Sequence, residues 1–468
     1  MGKASAQASV ACIEYEELEI EVGSCLCGQG EVRILSSRFD RPRERFRPSY
    51  NAVELNQRLE RLDELQLAQD SEAVSMRKQL AESIGKDLFE ALLPGRVRQT
   101  FAKSLASVRT AERNVGLRIR LSFGEASRYL PEVVGLPWEL LCSPETLEFP
   151  SSAPETPMVR YLDLERPVQP VKIEPPLRIL GVLASPEGLR PIDRHAHEEI
   201  LRDACGGNDL ELDLLQPPTL SALHEQLDQS RATGKPIHVI HFLGHGGFDD
   251  NGEGALNFEY PNGSRHRVSG RDLARTLGGF RELRLVVLSA CVGARMMRRR
   301  GQHPFAGSAS ALVAGGLPAV VGMQFSISEI AAAKFVRAFY RCLAKGRPLE
   351  EAVTEGRLGI LTTDTSTFEW ASPVLFLRSR DGKVLDLAEP GLSPHSILPE
   401  SSNNVEVNEV DAEVPKVSGK VVVTAVDGEV EPMARRENRA KFQGGTVDPG
   451  GVVIATARRG RSSSKSSK

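Results

Sequence analysis

From Leu177 to Leu377 the chain alternates short apolar runs with helical segments, and no other feature constrains its fold as tightly. LRILGVLAS has strand length and precedes the helical HAHEEILRDAC; DLELDLLQ alternates and leads into LSALHEQLDQS; IHVIHFLGH follows as a third strand. Ser269 and Asp272 stand at capping-box spacing before a short helix that reaches Leu277. LRLVVLSAC, LPAVVGMQF and SPVLFLR supply three more strands. Between them lie the small-residue helix AGSASALVAGG and the long helix EIAAAKFVRAFYRCLAKG, which Ser328 is placed to cap; Pro348 opens another helix. Strands alternating with helices build βαβ units, so the fold class is α/β, a mostly parallel six-stranded sheet flanked by helices on both faces. Runs such as LVVL suit strands buried on both sides.

The flanks differ from this block. CIEYEELEIEV, GEVRILSS and GLRIRLSF alternate as strands, while Leu55, Leu59, Leu62 and Leu65, and then Leu88, Ala91 and Leu92, recur at helical spacing. Pro94-Gly95 punctuates them, and the Pro-rich stretches 150–157 and 167–176 read as boundaries or extended connections. The expected organisation is a mixed α+β N-terminal region over 1–84, the α/β domain over 85–380 with its main sheet from about 177, and a linker and tail over 381–468. Ser401–Pro432 carries seven acidic residues and two lysines (−5), and Met433–Lys468 nine basic and two acidic residues (+7). RRGRSSSKSSK is low in complexity, so a disordered tail is expected, with KVVVTAV and GVVIATA as two short strands inside it.

Hydrophobic residues at 40% and charged residues at 26% allow a sizeable core. A net charge of −3 excludes a globally basic nucleic-acid binder, and any nucleic-acid contact is confined to the basic tail. Only 5% of residues are aromatic, which disfavours a base-stacking surface. No run of about 18 apolar residues occurs, so no membrane span is expected. The start of the chain is a poor signal peptide, and Ala6 stands where a myristoylation motif wants Ser or Thr; a cytoplasmic location is expected. Cys12, Cys25, Cys27, Cys142, Cys205, Cys291 and Cys342 are odd in number and scattered, as reduced thiols are. Cys25/Cys27 and His195/His197 are pairs without further ligands, so no metal or cofactor is expected.

In open α/β sheets functional residues gather beyond the carboxyl ends of the strands. Two strand ends carry matching chemistry: Leu243-Gly244-His245-Gly246-Gly247 and Leu288-Ser289-Ala290-Cys291. If these strands are neighbours, His245 and Cys291 project into one cleft. The thiolate is the nucleophilic form, with a free-thiol pKa of about 8.5, and an imidazole beside it activates the thiol and then protonates a leaving amine. The backbone N–H groups of Gly246 and Cys291 are placed to form an oxyanion hole. The same residues also fit plainer roles, a small buried hydrophobe for the cysteine and a surface turn for the histidine. His238 and His241, earlier on the same strand, read as core or supporting residues, and His303 as a loop residue.

HFLGHG, then the cysteine of LSAC 46 positions after His245, then VVGMQ, then the helices in AKFVRAFYRCLAKGRPLEEAV, together resemble the CHAT family of caspase-like cysteine peptidases, related in fold to caspases and separases. DLFEALLPGRVR, LRIRLSF, PEVVGLPWELLCSPE and MVRYLDLERPV are similar to the segment that precedes the catalytic sheet in that family, so the resemblance runs from about Ile84 to Leu377. It implies peptide-bond cleavage in a protein substrate through a thioester, with His245 as the catalytic histidine and Cys291 as the nucleophile. It also implies activation by a partner, a signal or self-cleavage, and for bacterial members roles in defence or programmed cell death. No helical repeat array of the kind many members carry is evident, so the regulator is expected to be a separate protein or the N-terminal region.

Caspases select aspartate through an arginine-lined pocket. The corresponding wall here is Gln324-Phe325-Ser326-Ile327-Ser328, which has no arginine, so no aspartate preference is expected. Ser289 is a further candidate for that wall, and Asp249 and Asp250 are candidates for favouring a basic residue as well as ordinary turn residues. ARMMRRRGQHP follows the nucleophile, and Arg298, Arg299 and Arg300 are candidates for self-cleavage or for binding an acidic partner. The resulting expectation is a cysteine endopeptidase. The alternatives are a non-catalytic scaffold of the same fold and a dormant enzyme with a nucleic-acid-sensing tail.

Overall fold

A computed structural model describes residues 13–24, 30–48, 50–66, 68, 70–111, 114–123, 131–162, 168–290 and 304–387, with the backbone of 442–447 and 453–457. The six strands read from the α/β pattern are present as β7 (Leu177–Leu183), β8 (Leu210–Leu214), β9 (Val239–Phe248), β12 (Leu285–Ala290), β13 (Ala319–Met323) and β14 (Pro373–Leu377). They lie in the order β8-β7-β9-β12-β13-β14, all parallel except β14 against β13. Every position of β13 and β14 is buried, so both faces of the sheet are covered there, as their unbroken apolar runs require, while the edge strand β8 is partly exposed.

The sheet does not stop at β14. β14 pairs in parallel with β5 (Met158–Tyr161), β5 with β4 (Val115–Ser122), and β4 with β1 (Glu14–Ser24), which leads through β2 (Gly30–Ser36) to β3 (Arg43–Arg45). The N-terminal strands therefore extend the same sheet, which has thirteen strands among the described residues. Alternation on β1 puts Leu18, Ile20 and Val22 into the core. The helices follow their spacing. α1 (Ala52–Leu65) buries Leu55, Leu59, Leu62 and Leu65, and α2 (Ser71–Leu92), capped by Asp70, buries Ile84, Leu88, Ala91 and Leu92. Residue 84, the boundary expected from sequence, falls inside α2. α3 (Gly95–Arg109) starts directly after Pro94.

The sequence pattern assigns no strand between Phe248 and Ser269, yet β10 (Gly254–Glu259) and β11 (Arg265–Ser269) form a hairpin there. It pairs with the last four residues of β9, beyond the point where β7 ends. β6 (Val171–Ile173) and β15 (Leu385–Leu387) form a separate parallel pair, and further helices are α4 (Arg194–Ala204), α5 (Leu220–Ala232), α6 (Gly270–Leu277), α7 (Pro304–Ala314), α8 (Glu329–Ala344) and α9 (Leu349–Leu361). Ser269 and Ser328 cap α6 and α8 through their side-chain oxygens, as their spacing predicts.

Met1–Leu392 forms one compact unit and Ser393–Lys468 a second. In the second unit β16 (Phe442–Val447) and β17 (Val453–Ala457) pair antiparallel. Within GVVIATA the described residues Val453–Ala457 are thus a strand, but their partner is FQGGTV, whose two glycines blur the strand pattern. KVVVTAV (420–426) lies outside the described residues. Among the described residues no helix is long and apolar enough to cross a membrane, and no group of three side chains is arranged to hold a metal ion.

Candidate active site

His245 stands where β9 changes partners. Val239–Leu243 of β9 run between β7 and β12, and from His245 onward the strand pairs with β10, with His245 opposite Asn257. Gly244 precedes it at a close approach: a Cβ there would lie 2.7 Å from the Phe242 ring and 3.3 Å from the Ala184 carbonyl oxygen. The His245 ring is buried, with Nε2 2.7 Å from the carbonyl oxygen of Arg190 in the loop between β7 and α4. A carbonyl oxygen only accepts, so Nε2 carries the proton and Nδ1 is the basic nitrogen of the neutral ring. On the backbone side, Asn257 Nδ2 donates to the His245 carbonyl at 3.1 Å. Two residues the sequence did not flag therefore hold the histidine. Arg190 acts through a main-chain oxygen that any residue supplies, so no side-chain motif signals it.

Ala290, the last residue of β12, is in register with Gly244. Cys291 follows it in the chain; Cys291, Arg298, Arg299, Arg300 and His303 lie outside the described residues. The described free cysteines are buried, and burial pushes the Cys142 thiol up to about 11 and those of Cys205 and Cys342 up to about 12. These three are poor nucleophiles at neutral pH. Gly246 is half-buried and opposite Leu256 in the β9–β10 ladder.

Four residues before His245 on β9, at His241, lies a buried polar chain. His241 Nδ1 is 2.9 Å from Tyr340 Oη on α8, and His241 Nε2 is 3.1 Å from Ser289 Oγ on β12. Burial first, and then the neighbouring His197, pushes His241 down to about 3, so its ring is neutral at ordinary pH. Ser289 is buried and turned to His241.

The residues after β13 have unequal roles. Gln324 is fully buried: its amide nitrogen donates to Glu139 Oε2 (2.9 Å) and the Ala371 carbonyl (2.7 Å), and its oxygen accepts from Arg160 Nη2 (3.1 Å). Glu139 and Arg160 form an ion pair at 2.6 Å with both side chains 0% exposed. Phe325 is a core residue. Ser326 N–H and hydroxyl both donate to Asp63 of α1, at 2.7 and 3.2 Å. Gln324 and Phe325 thus lie beneath the loop rather than on its surface, and the N-terminal half holds the loop through Asp63, Glu139 and Arg160. Asp249 Oδ1 accepts from Glu253 N–H at 2.8 Å and closes the β9–β10 turn, while Asp250 is exposed, 3.7 Å from Arg267 Nη1.

A mixed α/β sheet with a largely parallel centre, presenting a histidine from one strand tip beside the end of its neighbour, is the setting in which the comparisons fall. Residues 132–378, more than half of the chain, match the CHAT domain, and the chain belongs to that family of caspase-like cysteine peptidases. Among solved structures it is similar to separase of Saccharomyces cerevisiae in complex with securin, at 10% identity and a TM-score of 0.40, over 80% of this chain and 30% of that one. The chain thus spans less than a third of the length of that solved chain. No curated protein matches it.

Proposed function

We propose that the chain is a cysteine endopeptidase in which His245 and Cys291 form the catalytic dyad. The observation that carries this reading is the fixed tautomer of His245. Its Nε2 proton is held by the Arg190 carbonyl, which leaves Nδ1 as a base at the tip of β9, and the adjacent strand ends one residue before the cysteine. In the proposed cycle His245 Nδ1 takes the Cys291 thiol proton and Sγ attacks the scissile carbonyl carbon. The Gly246 and Cys291 N–H groups stabilise the resulting oxyanion. The His245 imidazolium then protonates the leaving amine as the C–N bond breaks, leaving a thioester. Water, deprotonated by His245, hydrolyses the thioester and restores the thiol. The substrate is a protein, and the loop after β13 is the proposed pocket wall, with the buried Gln324, Phe325 and Ser326 supporting it and Ser289 and Asp249 engaged elsewhere. Activation by a partner protein or signal, self-cleavage at Arg298–Arg300, a cytoplasmic location and a role in bacterial defence or cell death complete the proposal; no cofactor enters it.

The test is mass spectrometry of new protein N-termini in a lysate treated with wild-type, Cys291→Ala or His245→Ala protein. New termini, including any within 294–304 of the protein itself, are expected only with wild type, with both variants lowered at least about 1,000-fold. New termini made equally by Cys291→Ala would overturn the reading.

A further inference from the structure

The dyad leaves the Tyr340–His241–Ser289 chain without a role. Three polar side chains buried together are costly unless they satisfy one another, and apolar residues of similar size would fill the space without that cost. The chain joins three elements: α8, β9 and β12. It lies at the end of the parallel ladder, where Leu243 pairs with Ser289 and Gly244 with Ala290, the last pair before β9 turns to β10. His241 and His245 are separated by four residues on one strand and share a face.

The direction of the hydrogen bonds follows from counting protons. A neutral imidazole has one donor and one acceptor. Burial raises Tyr340 well above the usual phenol range, so its hydroxyl keeps its proton, and among the described residues its hydrogen-bond partner is His241. Tyr340 therefore donates to His241 Nδ1, and His241 Nε2–H donates to Ser289 Oγ. The Ser289 O–H is left as a donor near the end of β12.

We infer that Tyr340, His241 and Ser289 form a neutral brace that holds the tips of β9 and β12 at a fixed separation and so positions His245 for the thiol. The inference rests on the dyad reading, and these are positioning residues.

The test follows iodoacetamide alkylation of Cys291, read at the peptide level from pH 5 to 9, in the full chain. Wild type, His245→Ala, Tyr340→Phe and Ser289→Ala are compared, with hydrogen–deuterium exchange of 239–248 and 285–290 in parallel. Tyr340→Phe and Ser289→Ala remove one hydroxyl each and are expected to keep the fold. Both should lower the His245-dependent, low-pH part of the alkylation rate about tenfold and raise exchange in the two strand segments. A wild-type pH profile in both variants overturns the brace, whatever exchange shows. If wild type already alkylates like His245→Ala, the dyad reading fails instead. Exchange alone then decides the brace: raised in both variants supports it, unchanged overturns it.

Discussion

On β1 and β4 the N-terminal half of the sheet sets charge against charge, whereas the buried Tyr340–His241–Ser289 chain, anchored on the strand that carries His245, is neutral. Arg118 pairs with Glu17 and Glu350, and Arg120 with Glu17 at 2.9 Å. Glu350 is fully buried; burial pushes its carboxyl up to about 7, against the opposing pull of Arg118. Beside His245, Tyr340, His241 and Ser289 carry no charge between pH 5 and 8. The N-terminal network changes protonation near neutral pH and the neutral brace does not. The difference suits the proposed dyad: a scaffold tolerates titration, while geometry meant to serve a proton transfer is better set by groups that do not titrate in the working range.

Three perturbations break or sharpen this contrast. The largest effect is expected at the seam between the halves. Arg160→Ala strands the Glu139 carboxylate, two carbonyls and Gln324 in the core, and should cost about 3–5 kcal/mol in a urea-unfolding series. Pairing it with Glu139→Gln should recover part of that loss, because the stranded Glu139 charge is then removed.

Glu350→Gln comes next. A carboxyl raised in the folded state contributes stability fully below its unfolded value near 4.5, and loses it as pH rises through about 7. Wild type should therefore weaken relative to Glu350→Gln across that window, by about 1–3 kcal/mol at pH 8 and hardly at all at pH 4.5. Parallel pH–stability curves for the two proteins would remove the contrast between the halves. The smallest effect belongs to the neutral half: Tyr340→Phe should cost about 1 kcal/mol, equally at pH 5 and pH 8, in the same unfolding assay. A cost that grows toward low pH would mean that His241 titrates.

Much of this architecture was legible because its signals are local. Strand-length apolar runs, leucines at helical spacing and the caps Ser269 and Ser328 depend on neighbours within a few residues. His245 stood out for the same reason, between glycines at the end of an apolar strand. The β10–β11 hairpin was not legible, since its strands are short and mixed in polarity and gain their burial by pairing with the end of β9. The wall after β13 was legible as a segment but not in its facing. Gln324 and Phe325 are buried because Glu139, Arg160 and the residues around Ser372 close over them, from 47 to 185 residues away in sequence.

By itself, then, the sequence determined the βαβ alternation, the helix caps and the strand tip that presents His245, all from the periodicity and chemistry of residues close in the chain. Tertiary structure alone decided that the N-terminal strands continue the same sheet, that Asp63 holds the loop after β13, and that the Arg190 carbonyl sets the tautomer of His245. Register and main-chain partners belong to segments that meet only on folding, and a carbonyl oxygen leaves no mark on the identity of the residue that carries it.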